Sequence, residues 1–224
     1  MLSIIIKVST ILTLVFSLAL GIYTISRNHK SIIYWLWFLI CLAATTWSVG
    51  YLWAIMTDNS NSVMTALMIV YTGATLIPIL FFHFTIKFLL KEGKALLIVG
   101  YSLALILLYL NLFTNHLITG FRYLENFGYF EEVNMPVFYL YLTYFLFYTV
   151  FSIFLLLKNY SRANGFKKKQ ILFIAIAVII GFGGGITNFV MALTGLYPIG
   201  QIFVFLYPIL ITYGIFLPEV RVRL

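Results

Sequence analysis

Uninterrupted apolar runs separated by short polar stretches take up most of the chain, near residues 4 to 26, 32 to 56, 63 to 89, 95 to 113, 136 to 157, 170 to 194 and 201 to 217. A hydrocarbon core of about 30 Å takes roughly 20 helical residues to cross, so each run matches one crossing. The runs are too long and too evenly apolar for tilted barrel strands, and backbone with unpaired polar groups does not face lipid. The pattern predicts an all-α integral membrane bundle of seven transmembrane helices. Residues 1–217 form the transmembrane domain in this reading, and 218–224 a short cytoplasmic tail. One longer connection, about 114 to 135, carries Phe121, Tyr123, Phe127, Tyr129 and Phe130 among acidic residues. It reads either as an aromatic belt at the interface or as a lid over a ligand mouth.

Composition agrees with the pattern: 63% of residues are hydrophobic and 9% charged, against about 25% charged in ordinary globular chains. Seven crossings and their loops use nearly all 224 residues and leave no room for a soluble domain. The net charge of +8 reflects orientation rather than nucleic acid binding. Of the 14 lysines and arginines, all but Lys7 and Arg122 fall on one side: Arg27 and Lys30 in the first loop, Lys87, Lys91 and Lys94 around the third, Lys158, Arg162, Lys167, Lys168 and Lys169 in the fifth, and Arg221 and Arg223 at the end. The other side carries Asp58, Glu125, Glu131 and Glu132. By the positive-inside rule the N-terminus lies outside and the C-terminus in the cytoplasm. The first run is retained rather than cleaved as a signal peptide, because it is long and Arg27 and Lys30 hold its far end inside. Cys41 lies within an apolar run and is read as a packing residue.

Polar residues inside apolar runs are costly to bury and are functional candidates for that reason. His83 follows Phe81-Phe82, with Lys87 one turn on. It reads either as a neutral histidine bonding a neighbouring helix or as a switch residue. Asn188 follows Gly181, Gly183, Gly184 and Gly185. Ala177, Gly181 and Gly185 recur every four residues, as do Gly184, Asn188 and Ala192, which makes two small or polar stripes on one helix. The stripes read as a seam of close helix packing with an interhelical amide bond, or as a pliable point that moves in signalling. Pro78, Pro198 and Pro208 mark kinks or ends. There is no membrane carboxylate pair for a proton relay, no metal-ligand spacing and no Ser-His-acid set, so neither enzymatic activity nor a cofactor or metal is expected. The last run has no lysine to hold retinal.

Several stretches taken together resemble a known module. They are Phe82-His83-Phe84 after Pro78, Phe113-Thr114-Asn115, Gly128-Tyr129, Lys168-Lys169-Gln170, the run from Gly181 through Gly185 to Thr187-Asn188, Tyr197-Pro198-Ile199-Gly200, and Tyr213-Gly214-Ile215. In order and spacing they are similar to the N-terminal seven-transmembrane sensor region of bacterial histidine kinases, across nearly the whole chain. The chain departs from that pattern at His116-Leu117-Ile118, and it reaches Pro218-Glu219-Val220-Arg221 without a phosphoacceptor helix or ATP-binding domain. The resemblance implies a membrane sensory input module for two-component signal transduction that lacks its own output, with His83, Asn188, Gly181, Gly184 and Gly185 as sensing or packing residues. The partners it implies are membrane lipid, a kinase or cyclase, a second copy in a homodimer, and a small-molecule or peptide ligand. A small transporter or channel component and a split or truncated kinase are the alternatives.

Overall fold

The computed structural model describes residues 1–216. Its helices are α1 (Leu2–Arg27), α2 (Ile32–Met56), α3 (Val63–Phe88), α4 (Lys94–Phe113), α5 (Met135–Tyr160), α6 (Gly165–Thr194) and α7 (Leu206–Phe216). The first six are long and apolar enough to cross a membrane. The tail expected at 218–224 lies outside the described residues.

Two boundaries differ from the apolar runs. Helix α6 starts at Gly165, so Lys167, Lys168 and Lys169 stand in its first turns rather than in a loop. Lys167 there donates to the Phe88 carbonyl at 3.0 Å and sits 3.5 Å from the Phe88 ring centroid, which places a cation at the C-terminus of α3, where the helix dipole favours it. The last apolar run is not one helix. Ile199–Phe203 forms a 3-10 segment, and α7 begins only at Leu206.

In lipid both faces of a helix are apolar, so burial follows size and hydrogen bonding rather than hydrophobicity. Helix α1 shows this. Its buried side is Ser9, Thr10, Thr13, Ser17, Gly21 and Thr24, together with Ile6, and large residues such as Val15 and Ile22 are exposed. Thr10 and Thr13 donate back to the carbonyls of Ile6 and Ser9 at 2.8 and 2.9 Å, so their hydroxyls are satisfied within the helix. Helices α2 and α3 come closest together, where a Cβ on Gly50 would lie 2.6 Å from the Ala66 carbonyl oxygen and from the Val70 nitrogen.

Pro78 lies inside α3. The Tyr144 hydroxyl of α5 donates to the Thr75 carbonyl, three residues before it, at 2.9 Å. Proline leaves the Ala74 carbonyl without its helical donor, and Tyr144 bonds the carbonyl beside it.

The long connection is a β-hairpin, which the all-α expectation did not include. Strand β1 (Ile118–Leu124) pairs antiparallel with β2 (Gly128–Val133). Gly128 requires its residue type twice over: its φ is +124°, and a Cβ there would lie 2.6 Å from the Ile55 backbone at the end of α2. The hairpin buries Phe127 and Phe130 against the bundle and leaves Tyr123 exposed. The Tyr197 hydroxyl, in the α6–α7 connection, donates to the Glu125 carbonyl at 3.2 Å. The strands therefore cover the bundle end formed by α2, α3 and that connection.

Candidate ligand cavity

Two chambers lie one behind the other beneath the hairpin. The inner one has a volume of about 70 Å³ and is almost wholly apolar, with walls from α2, α3, α5, α6 and α7 and Thr13 of α1. Phe81, Phe182 and Phe145 close one side, and Phe81 and Phe182 meet edge to face with centroids 5.5 Å apart. The outer chamber, about 20 Å³, lies against Glu131, Tyr129 and Phe130 of the hairpin. Trp47, Ala74, Asn188 and Phe189 line both.

The glycine run of α6 does three different things. A Cβ on Gly181 would lie 3.0 Å from Tyr207 Cβ, and one on Gly184 would lie 2.6 Å from the Gly200 carbonyl oxygen, so both let the 3-10 segment and α7 approach. Gly183 is exposed and meets nothing. Gly185 does not have the close contact expected of it. A Cβ there would meet no atom within 4 Å, and the residue lines the inner chamber. Its missing side chain leaves open space there.

Asn188 belongs to a buried polar chain that runs across three elements. Its Nδ2 donates to the Gln201 side-chain oxygen and to the Gly185 carbonyl, each at 3.2 Å. Gln201 Nε2 donates to Thr10 Oγ1 at 3.3 Å, and the Ser9 hydroxyl lies 2.8 Å from the Gln201 carbonyl. These bonds hold the 3-10 segment where a continuous helix would have paired its own backbone. Gln201 and the α1 hydroxyls were missed in the sequence; a glutamine inside an apolar run was the available signal. Asn188 Oδ1 has no partner, nor has the buried Tyr51 hydroxyl in the outer chamber.

His83 is not brought to the chambers. It is half-buried, with Nδ1 2.9 Å from the Tyr101 hydroxyl of α4. Glu131 was counted among the loop acids and not singled out. It accepts a hydrogen bond from the Tyr71 hydroxyl at 2.9 Å, and burial pushes its carboxyl above the ordinary glutamate value, against the lowering effect of bonds from its own backbone amide and from Tyr71. Among the described residues, no three His, Cys, Asp or Glu side chains group as metal ligands.

An apolar bundle with six helices long enough to cross a membrane defines a multi-pass membrane protein. The chain belongs to the family described as the N-terminal 7TM region of histidine kinase, which matches it over residues 9–217. It is therefore a membrane sensory input module for signal transduction, and the family is an input region rather than a catalytic domain. No curated protein matches the chain.

Proposed function

We propose that this module works in a bacterial plasma membrane, takes a small ligand into the cavity from the hairpin face, and passes its occupancy through α6 and α7 to a kinase or cyclase partner. Seven crossings belong to this reading. A 3-10 segment rises about 2.0 Å per residue and an α-helix about 1.5 Å, so residues 199–216 laid end to end reach about 30 Å, one hydrocarbon thickness. The distribution of lysine and arginine supports an N-terminus outside, which puts the hairpin and cavity mouth outside as well.

The observation that carries the proposal is the open space at Gly185, between α6 and the elements packed on it. A ligand acts only if it binds two arrangements unequally, and one seated there touches both α6 and α7. Phe216 at the far end of α7 packs on Tyr23 of α1 and Tyr34 of α2, with ring centroids 5.5 and 5.3 Å apart. A shift of α7 is therefore felt at the end opposite the hairpin.

Gly185→Leu fills the inner chamber and imitates occupancy. Spin labels at Ser31→Cys and Tyr213→Cys in a Cys41→Ala background should show a changed distance distribution when Gly185→Leu is added. An unchanged distribution would mean that the cavity is not coupled to α7.

A further inference from the structure

The outer chamber gathers hydrogen-bond acceptors and no cation. Glu131 brings a carboxylate whose bond from Tyr71 uses one position on one oxygen. The Tyr51 hydroxyl is unpartnered in a residue 8% exposed, and Asn188 Oδ1 is unpartnered in a residue 9% exposed. All three residues line the same space. The one ion pair among the described residues, Arg122 with Glu132 at 3.1 Å, leaves Glu131 out, and no lysine, arginine or histidine lines either chamber. A part-buried carboxylate without a counter-charge is costly to ionise, and the upward push on the Glu131 carboxyl goes the same way.

We infer that the outer chamber is a recognition site for an organic ammonium ion, whose apolar body lies in the inner chamber. This inference rests on the cavity reading above and names its ligand class. An ammonium group carries three donors and no acceptor, which matches Glu131, the Tyr51 oxygen and Asn188 Oδ1. The outer volume of about 20 Å³ suits a group of water size, since one such sphere needs about 10–15 Å³. Trp47, Tyr51, Tyr71 and Tyr129 present aromatic surface around it, which attracts cations through the ring quadrupole. Sodium or potassium would meet the same three oxygens and otherwise aromatic walls, a poor exchange for a full hydration shell of oxygens. The inner chamber, apolar and about 70 Å³, has room for a short alkyl group and offers nothing to a second charge.

The test uses n-butylamine, 1-butanol and butyrate, which share a short alkyl body and differ in the head. Each is titrated into the full chain in detergent at clamped neutral pH, and the thermal midpoint gives an apparent Kd. The amine should stabilise saturably, the alcohol more weakly, and butyrate, sodium and potassium not at all. Glu131→Gln should weaken the amine about ten-fold or more, the size of one charge-assisted hydrogen bond, and the alcohol by clearly less, since a neutral hydroxyl loses no charge pairing. Tyr51→Phe, which keeps Glu131 and its bond from Tyr71, should weaken the amine more than the alcohol if Glu131→Gln proves too unstable to measure. Equal binding of amine and alcohol, indifference of the amine to both substitutions, or the same stabilisation by sodium or potassium overturns the ammonium assignment. Gly185→Leu separates the two levels: loss of both amine and alcohol keeps the cavity reading even where the ammonium assignment fails, and no effect on either removes both.

Discussion

The side-chain amide of Asn188 donates to the side-chain oxygen of Gln201 across 3.2 Å in a buried bond, and Gln201 in turn donates to Thr10. This chain joins α6, the 3-10 segment and α1. Interhelical hydrogen bonds in membranes are worth about 0.6 kcal/mol on average and up to about 1.7. Asn188→Leu should therefore cost about 1 kcal/mol in reversible unfolding from lipid-detergent mixtures. Gln201→Leu should cost at least as much, because it strips partners from both Asn188 and Thr10. The double substitution should cost less than the two singles added, and strict additivity would show that the two side chains do not act as a unit.

Three adjacent glycines should respond with different signs. Gly184→Ala places a methyl 2.6 Å from the Gly200 carbonyl oxygen, an overpacking worth about 1–3 kcal/mol of destabilisation. Gly183→Ala meets nothing and should stabilise by about 0.5–1 kcal/mol, the ordinary gain of alanine over glycine inside a helix. Gly185→Ala also meets nothing within 4 Å and should be neutral or stabilising. Thermal midpoints of the three variants check the order, and a loss at Gly185 equal to that at Gly184 would close the cavity.

Stability should depend on pH through Glu131 in a stated direction. Burial holds its carboxyl above the ordinary value of about 4.5, so in the window just above that value the folded protein keeps a proton that the unfolded chain has released. Stability then falls as pH rises through the window and levels off once the folded group has ionised. Asp58, His116, Arg122, Glu125 and Glu132 near the same face are common to wild type and Glu131→Gln, so the difference between the two isolates Glu131. That difference in midpoint, wild type minus variant, should decrease from about pH 4.5 upward. An increase would place the carboxyl below its ordinary value.

The proposed orientation predicts opposite labelling of two connections. In a Cys41→Ala background, Asn126→Cys at the hairpin turn should react with an impermeant maleimide on intact cells, and Asn164→Cys just before α6 only after permeabilisation. The reverse pattern would invert the topology and place the cavity mouth on the cytoplasmic side.

The sequence alone determined the membrane class, six long apolar helices with their approximate limits, and the membership implied by its ordered motifs, because lipid imposes one rule that can be read without coordinates: about 20 apolar residues per helix, with every backbone bond made inside it; the seventh long helix it also predicted is a 3-10 segment followed by the short α7. It also pointed to Asn188 and to the glycine run as special. Only the tertiary structure decided what each of these does. Gly184 and Gly185 are neighbours in one run, yet one touches the Gly200 backbone and the other faces empty space, since residues one apart on a helix point about 100° away from each other. The hairpin was hidden because its aromatic residues fit an interfacial belt equally well, and β pairing between Ile118–Leu124 and Gly128–Val133 depends on which strand faces which. Glu131 looked like one more acid in an exposed loop. Its place in β2 beside Tyr71 and Tyr51 comes from long-range packing that brings residues far apart in the chain to one chamber, and no local pattern records such a meeting.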